Sequence, residues 1–214
     1  MTIDEMILII IDKLGGKVTS KTKIHKLFYL YSVVHGKDIS FKPHYYGPYS
    51  PVVEDALDRL ISTGLLTVQK AKFENNHPGF ETIKYDYIIN KYGREVLNNL
   101  EIDDEVSELQ QFVSKIKDIG DPDYFILSVA TKIHYILKKI YYILNKKDEP
   151  LKVEDIIEMA KKLDGPISDS DIEKVLNLLE NLKLINNIKH DSDFDSEMLD
   201  WDITAGDGIE PESW

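Results

Sequence analysis

The sequence predicts a mainly α-helical protein with a small β-hairpin, in which a winged helix–turn–helix-like domain precedes a helical region. Three segments with apolar residues at helical spacing lie within the first 64 residues. Two β-like runs follow, LLTVQKAKF (65–73) and ETIKYDYII (81–89), separated by the turn-forming sequence ENNHPG. Helical periodicity then returns. Three helices followed by a hairpin is the order of a winged helix, with the hairpin as the wing.

Each of the first three helices has a recognisable boundary. The first is predicted over 4–14, before a Gly-Gly pair, and a short linker, KVTSKTK, leads to the second. The second helix has apolar residues at the 3.6-residue period and ends at Gly36. In the third, we expect Ser50 as the N-cap and Pro51 as the first helical residue, with the end near Gly64.

The second half of the chain is expected to be helical. A helix at 91–100 follows the wing, and further helices are expected near 105–117, 123–145, 153–163 and 169–182. Residues 54–68 and 173–188 share an amphipathic helix followed by a short apolar strand, so this half is either a degenerate second winged helix or a plain helical region. The predicted domains are 1–100, 104–189 and a disordered acidic tail, 190–214.

Charge is divided unevenly along the chain. Of the net charge of −12, nine acidic residues in 190–214 supply −9, because that segment has no Lys or Arg, and −3 remains for 1–189. Residues 17–42 hold six lysines against one acid, Asp38. The absence of cysteine excludes disulfide scaffolds, cysteine-ligated zinc and thiol catalysis. The start lacks a secretion signal and lysines interrupt the apolar segment 124–144, so we expect a cytoplasmic protein without a membrane partner.

The segment HYYGPYS (44–50) is the strongest candidate for a binding surface. Adjacent residues of an extended chain point to opposite sides, so Tyr45 and Tyr46 cannot both be buried on one face. An exposed tyrosine beside a tight turn anchors a protein partner well, because it offers a large area with little rotamer entropy to lose. The alternative is a purely structural turn. The candidate partner-binding residues are Tyr45, Tyr46, Gly47, Pro48, Tyr49 and Ser50, with Trp201 and Trp214 of the tail.

A nucleic-acid-binding winged-helix transcriptional regulator is the alternative function. The third helix takes the recognition position, yet it carries Glu54, Asp55 and Asp58 against Arg59 alone, and those acids would face phosphates. A solvated lysine face is the ordinary explanation of the basic stretch. The residues that would contact nucleic acid are Lys21, Lys23, Lys26, Lys42, Lys70, Lys72 and Lys84.

No catalytic or cofactor motif is recognisable. P-loop, dinucleotide-binding, nucleophile-elbow and kinase signatures are absent, and the six histidines lack HxxxH or HExxH spacing. Asp191, Asp193 and Asp195 have the spacing of a calcium loop, but Ser196 replaces the required glycine and Asp202 the usual glutamate. We therefore expect a non-enzymatic protein that uses no cofactor or metal.

Four motifs carry a resemblance to a known group: KIHKLFYLYSVVHG (23–36), YGPYS (46–50), the DxLxxLxxxGLL pattern (55–66) and YDYIINKYGRE (85–95). Together they resemble the YwgA-like and SocA-like (Panacea-domain) proteins of bacteria, archaea and their mobile elements, over residues 5–100. The resemblance implies a non-enzymatic protein-binding domain, often an antitoxin that neutralises a neighbouring toxin or hands it to a protease.

The resemblance implies one biological role. We expect an antitoxin or accessory regulator of a mobile-element or defence system, whose partner is a protein such as a toxin or a protease. The acidic tail is expected either to act as a solubilising segment or to fold back over the basic stretch 17–42 and compete with an anionic or acidic partner.

Overall fold

The computed structural model describes residues 1–70, 84–146, 149, 151–163 and 167–185. The three strands in this part of the chain form an antiparallel sheet in the order β1-β3-β2. The predicted mainly α-helical class with a small hairpin is confirmed, and the succession α1-β1-α2-α3-β2-β3 is that of a winged helix. The elements are α1 (Ile3–Lys13), β1 (Lys17–Thr19), α2 (Lys21–His35), α3 (Pro51–Ser62), β2 (Leu66–Lys70), β3 (Tyr85–Ile89), α4 (Lys91–Asn98), α5 (Asp104–Asp118), α6 (Tyr124–Ile143), α7 (Val153–Lys162) and α8 (Asp169–Asn181).

The sheet contains a strand that was not expected from the sequence. Part of the predicted linker forms β1, which pairs with β3 so that Val18 lies opposite Tyr87 and Thr19 opposite Asp86. The Thr19 hydroxyl donates to the Asp86 carboxylate, and the Lys17 ammonium lies 3.2 Å from the same group. Three residues are too few to produce a periodic pattern, so β1 becomes recognisable only through its partner strand.

The predicted hairpin is present in the described residues. Strands β2 and β3 pair from Leu66 opposite Ile89 to Lys70 opposite Tyr85. Tyr87 and Ile89 are buried, as their alternation with polar residues predicts. The segment between the strands, including Lys72, lies outside the described residues.

Helix α1 is the centre of the N-terminal fold. Its residues 6–11 are all buried, because α3, α4, α5 and the sheet cover it from several sides. A helix that is apolar around its whole circumference requires this surrounding cover. Its first turn is held by a capping box, in which the Thr2 hydroxyl accepts from the Glu5 backbone N–H and the Glu5 carboxylate accepts from that of Thr2.

The start of α3 differs in detail from the expectation. Ser50 is the N-cap and Pro51 the first helical residue, as predicted. The Ser50 side chain, however, does not cap the helix; its hydroxyl donates to the Ile39 carbonyl at 2.6 Å. Ser50 is fully buried, and its hydroxyl ties the start of α3 to the loop that follows α2.

The second half packs directly on the first. Helix α5 lies on α1, α6 on α2, and α7 and α8 on α6. The buried apolar residues form one cluster that extends from Met6 to Ile185. Helices α5 to α8 lie within two residues of their expected bounds. The predicted domain boundary at residue 104 and the predicted second winged helix stay predictions. In this half, Leu151 and Ile185 form an isolated parallel bridge.

Helix α6 is the longest of the described helices. It spans 20 residues, buried around most of its N-terminal half and exposed along one face of its C-terminal half. The sequence predicts a buried helix here, which is correct only for the first half. Within the described part of the chain, no helix combines the length and the apolar character that a membrane crossing requires.

Candidate functional site

The candidate site is the Gly-Pro corner, defined as residues 44–50, between α2 and α3. A backbone bridge closes its base: the Lys42 and Tyr49 N–H groups each donate to the other's carbonyl, at 2.8 and 2.9 Å. At its tip the Gly47 N–H donates to the His44 carbonyl at 2.8 Å, with Gly47 at a φ of +92°. Glycine adopts this positive φ without the steric cost that other residues incur. The sequence therefore specifies a tight turn at this point.

Two contacts seat the corner against the helices behind it. A Cβ at Gly47 would lie 3.3 Å from the Lys132 Cβ and 3.4 Å from the Ser128 carbonyl, so the turn packs tightly on α6 and a side chain there would require a shift of a few tenths of an ångström. On the other side, the Lys26 ammonium of α2 donates to the Pro48 carbonyl at 2.9 Å. The corner is therefore held by α2 and α6 together.

The tyrosine rings of the corner differ in exposure. Tyr45 is 67% exposed, whereas Tyr46 and Tyr49 are half-buried. The Tyr45 and Tyr46 rings meet edge to face with centroids 4.9 Å apart, and Tyr49 stacks on His25 at 4.7 Å. The structure thus leaves the Tyr45 ring at the surface, with the Tyr46 ring packed against it.

Beneath Tyr49, a charged cluster joins α2 to α3. The Glu54 carboxylate lies 3.0 Å from the His25 Nε2 and 2.5 Å from the Lys21 ammonium. Burial alone would raise the pKa of Glu54, but these two hydrogen bonds outweigh it and lower the pKa to about 2. Burial lowers the pKa of His25, although Glu54 opposes that shift. The cluster thus contains an ionised carboxylate and a mostly neutral imidazole at neutral pH.

Both nitrogens of the His25 ring are engaged. The Ser50 backbone N–H donates to Nδ1 at 3.5 Å, so the neutral ring carries its proton on Nε2 and donates to Glu54. The imidazole therefore has no free lone pair with which to accept a proton from a substrate. This arrangement is suited to fixing the Tyr49 ring and the start of α3.

Two of the lysines proposed to contact nucleic acid are paired with acids. Lys21 is bonded to Glu54 as described, and the Lys23 ammonium lies 2.8 Å from Asp121 on the loop before α6. A phosphate would have to compete with these carboxylates for the lysines. The basic stretch seen in the sequence is therefore partly neutralised in three dimensions.

Two other candidate lysines are buried, and for Lys26, which belongs to the basic stretch, the expected solvated face is wrong. Lys26 is 2% exposed and Lys84 is 1% exposed. The Lys84 ammonium lies 2.6 Å from the centroid of the Tyr124 ring, at the start of α6. Both ammonium groups are covered together with their stems, and neither faces solvent, where phosphates would bind.

The described surface of the winged helix carries exposed acids as well as exposed lysines. Lys42 and Lys70 are exposed, whereas Lys72 lies outside the described residues. On α3, Asp55 and Asp58 are exposed, and Arg59 of that face binds Asp4 with two hydrogen bonds, at 2.7 and 3.2 Å. The helix in the recognition position therefore presents acids outward.

One surface was missed in the sequence. We call it the α6 stripe: Lys132, Tyr135, Lys138, Lys139, Tyr142 and Ile143. It continues the corner, because the Lys132 ammonium lies 5.8 Å from the centroid of the Tyr45 ring. The alternation of tyrosine and lysine at spacings of three and four was the available signal. The apolar residues between these positions lie on the buried side of the helix, and their pattern dominates the segment.

Trp201, Trp214 and the calcium-loop-like sequence lie outside the described residues. Among the residues that are described, no cluster of three or more His, Asp or Glu could hold a metal ion.

Comparison with known proteins adds no further assignment. No protein-family model matches the chain, and a search of curated proteins found no match. The resemblance to YwgA-like and SocA-like proteins therefore stays a prediction that rests on the motifs.

Proposed function

We propose that this chain is a non-enzymatic protein-binding module that docks its partner on the Gly-Pro corner, with the Tyr45 ring as the anchor. The observation that carries the proposal is the 67% exposure of Tyr45 on a fixed backbone. Lys26 and Gly47 hold that backbone against α2 and α6, so little conformational entropy remains to be lost when a partner binds.

The biological role we propose is that of an antitoxin or an accessory regulator of a mobile-element or defence system. This part of the proposal comes from the motif resemblance. A rigid aromatic anchor is the feature that such a role requires, because one large ring buried in a partner's pocket supplies much of the binding energy of an interface.

Nucleic-acid binding is the second candidate, and the winged-helix topology favours it. The charge distribution opposes it, because the exposed face of α3 carries Asp55 and Asp58 while Lys26 and Lys84 are buried. Repulsion between those acids and phosphates would weaken any contact through the recognition position. We therefore place the protein partner first.

The test of the proposed function uses the protein encoded beside this chain as the probe. Tyr45→Ala should weaken its binding by a factor of about 30 or more, the loss expected for a hot-spot tyrosine, in isothermal titration calorimetry. If the neighbour is toxic, the same substitution should reduce rescue of growth on co-expression. Tyr92→Ala on α4 is the matched control, because Tyr92 is also more than half exposed.

Equal affinities for the neighbour in the unsubstituted chain and in Tyr45→Ala would contradict docking through the corner. A titration of the chain with arbitrary duplex DNA tests the second candidate. Binding that weakens steeply as salt rises would indicate phosphate neutralisation and favour the regulator. Absence of binding to DNA at low salt would argue against the regulator and leave a protein as the proposed partner.

A further inference from the structure

The α6 stripe is an exposed surface that is both aromatic and basic. Tyr142 and Ile143 are 68% and 73% exposed, although both are large and apolar. Together with Tyr29, Tyr135, Lys138 and Lys139 they line a groove of about 430 Å³. Contiguous apolar surface of this kind, bordered by charge, marks an interaction site in soluble proteins.

The lysines of this stripe differ from those of the basic stretch. In the described part of the chain, no carboxylate lies within ion-pair distance of Lys138 or Lys139, whereas Lys17, Lys21 and Lys23 each have an acidic partner. The Lys139 ammonium lies over the Tyr135 ring at 4.7 Å, and the Lys138 ammonium donates to the Glu149 carbonyl. Lys138 and Lys139 therefore supply positive charge that can attract an acidic segment.

The sequence contains a segment of complementary composition. Residues 190–214 hold nine acids and no Lys or Arg, and they include both tryptophans of the chain, Trp201 and Trp214. An acidic segment with spaced aromatic residues is suited to a basic groove, because the acids steer the approach and the ring buries apolar surface.

The point of attachment favours contact with α6. Helix α8 packs on α6 and ends at Asn181, and the described residues end at Ile185. Trp201 follows Ile185 by sixteen residues, which span up to about 50 Å when extended. Helix α6 is about 30 Å long at 1.5 Å per residue, so the whole stripe is within reach. Attachment to the same chain also gives the segment an effective concentration on the order of millimolar.

We propose that residues 190–214 dock on the α6 stripe of their own chain, with the Trp201 ring in the groove beside Tyr135 and Tyr142. The acidic side chains face Lys138 and Lys139, and the ring covers the exposed apolar surface. This places the tail on α6, where Lys138 and Lys139 have no ion-pair partner among the described residues, and not on the basic stretch 17–42, the surface in one of the two expectations from the sequence.

One consequence rests on the proposed function. Because Lys132 connects the stripe to Tyr45, a docked tail would stand beside the anchor and compete with a partner there. Deletion of 190–214 should then strengthen partner binding. Docking of the tail itself requires no partner, so it can be tested separately from the proposed function.

The test uses the fluorescence of Trp201 as the reporter. In the full chain with Trp214→Phe, Trp201 is the remaining tryptophan. Its emission should lie to the blue of that of a free 190–214 peptide with the same substitution, and acrylamide should quench it several-fold less. At about 1 M salt, where the Debye length is about 3 Å, the emission should move towards that of the peptide. This salt titration requires no change to the folded part of the protein.

A substitution in the groove provides the second readout. Adding Lys139→Glu and Tyr142→Ala to the reporter chain should give the emission and quenching of the free peptide. The matched control is Lys91→Glu with Tyr92→Ala on α4, where a lysine also lies 4.7 Å from an exposed tyrosine ring. The control pair should leave the Trp201 signal unchanged, and circular dichroism should show equal helix content in both variants.

Three results would overturn the proposal. The first is a reporter chain whose emission equals that of the free peptide at every salt concentration. The second is a blue-shifted emission that persists in the groove variant. The third is a blue shift that grows with protein concentration, since it would mean that the segment binds a second copy of the chain.

Discussion

The side chain of Lys26 supports the Gly-Pro corner from inside the fold. It lies in α2 with its ammonium buried, and it donates to the Pro48 carbonyl at 2.9 Å. A carbonyl in an interior turn needs a donor, and a charged donor makes a stronger hydrogen bond than a neutral one. In the sequence Lys26 is one of six lysines in a basic stretch; in the structure it supports the Gly-Pro corner.

Lys26→Ala should therefore lower the free energy of unfolding by about 2–4 kcal/mol, because it removes the hydrogen bond and the packing of the buried stem. Urea unfolding followed by circular dichroism measures this. Lys42→Ala, at an exposed lysine of the same stretch, should change the free energy by less than about 0.5 kcal/mol. Similar losses for the two substitutions would argue against the supporting role of Lys26.

At the scale of elements, helices α2 and α3 are joined by a polar contact as well as by apolar packing. Glu54 of α3 accepts hydrogen bonds from His25 and Lys21 of α2. The pKa of Glu54 falls to about 2, from an ordinary value of 4.5, because these donors stabilise the ionised carboxylate. The lowered pKa means that the ionised carboxylate stabilises the folded state above pH 4.5, and that this contribution is lost as the pH falls towards 2.

Glu54→Gln removes this contribution. The unsubstituted chain should be more stable than the variant by about 2 kcal/mol at pH 7, a value reduced for partial solvent screening, and the difference should shrink between pH 4.5 and pH 2. Denaturant unfolding at pH 7 and pH 3 measures it. Asp55→Asn, exposed on the same helix, should change stability by less than about 0.5 kcal/mol at both pH values. A difference for Glu54→Gln that does not depend on pH would contradict the assignment.

At the scale of the whole molecule, the apolar interior is continuous. The buried cluster contains residues of all the described helices except α4, and α6 joins the winged helix to α7 and α8. Leu137 of α6 is completely buried in that cluster. When two halves share one interior, loss of packing in one half destabilises the other, and the chain unfolds as a unit.

Leu137→Ala should lower the free energy of unfolding by about 2–5 kcal/mol, the cost of a cavity in a close-packed interior. Amide hydrogen exchange should show that protection falls in α2 and α6 together. Ile102→Ala, at a residue that is 75% exposed before α5, should have an effect below about 0.5 kcal/mol. Loss of protection in α6 alone would instead support independent domains at 1–100 and 104–189.

The sequence by itself determined the helices and the hairpin. Periodic apolar residues, a Gly-Pro turn and Pro51 at the start of α3 are local signals, so they predict local structure. The turn at Gly47 was also predictable, because the requirement for glycine is set by the backbone. The short strand β1 was not, since three residues form a strand only when β3 supplies the hydrogen bonds.

Only the tertiary structure decided which side chains remain at the surface. Tyr45 is exposed while Tyr46 is half-buried, and Lys26 is buried while Lys42 is exposed, although each pair is alike in sequence. The outward face of α6 likewise depends on where α2, α7 and α8 stop covering it. Burial and charge pairing are set by neighbours that are distant along the chain, and a local pattern does not contain that information.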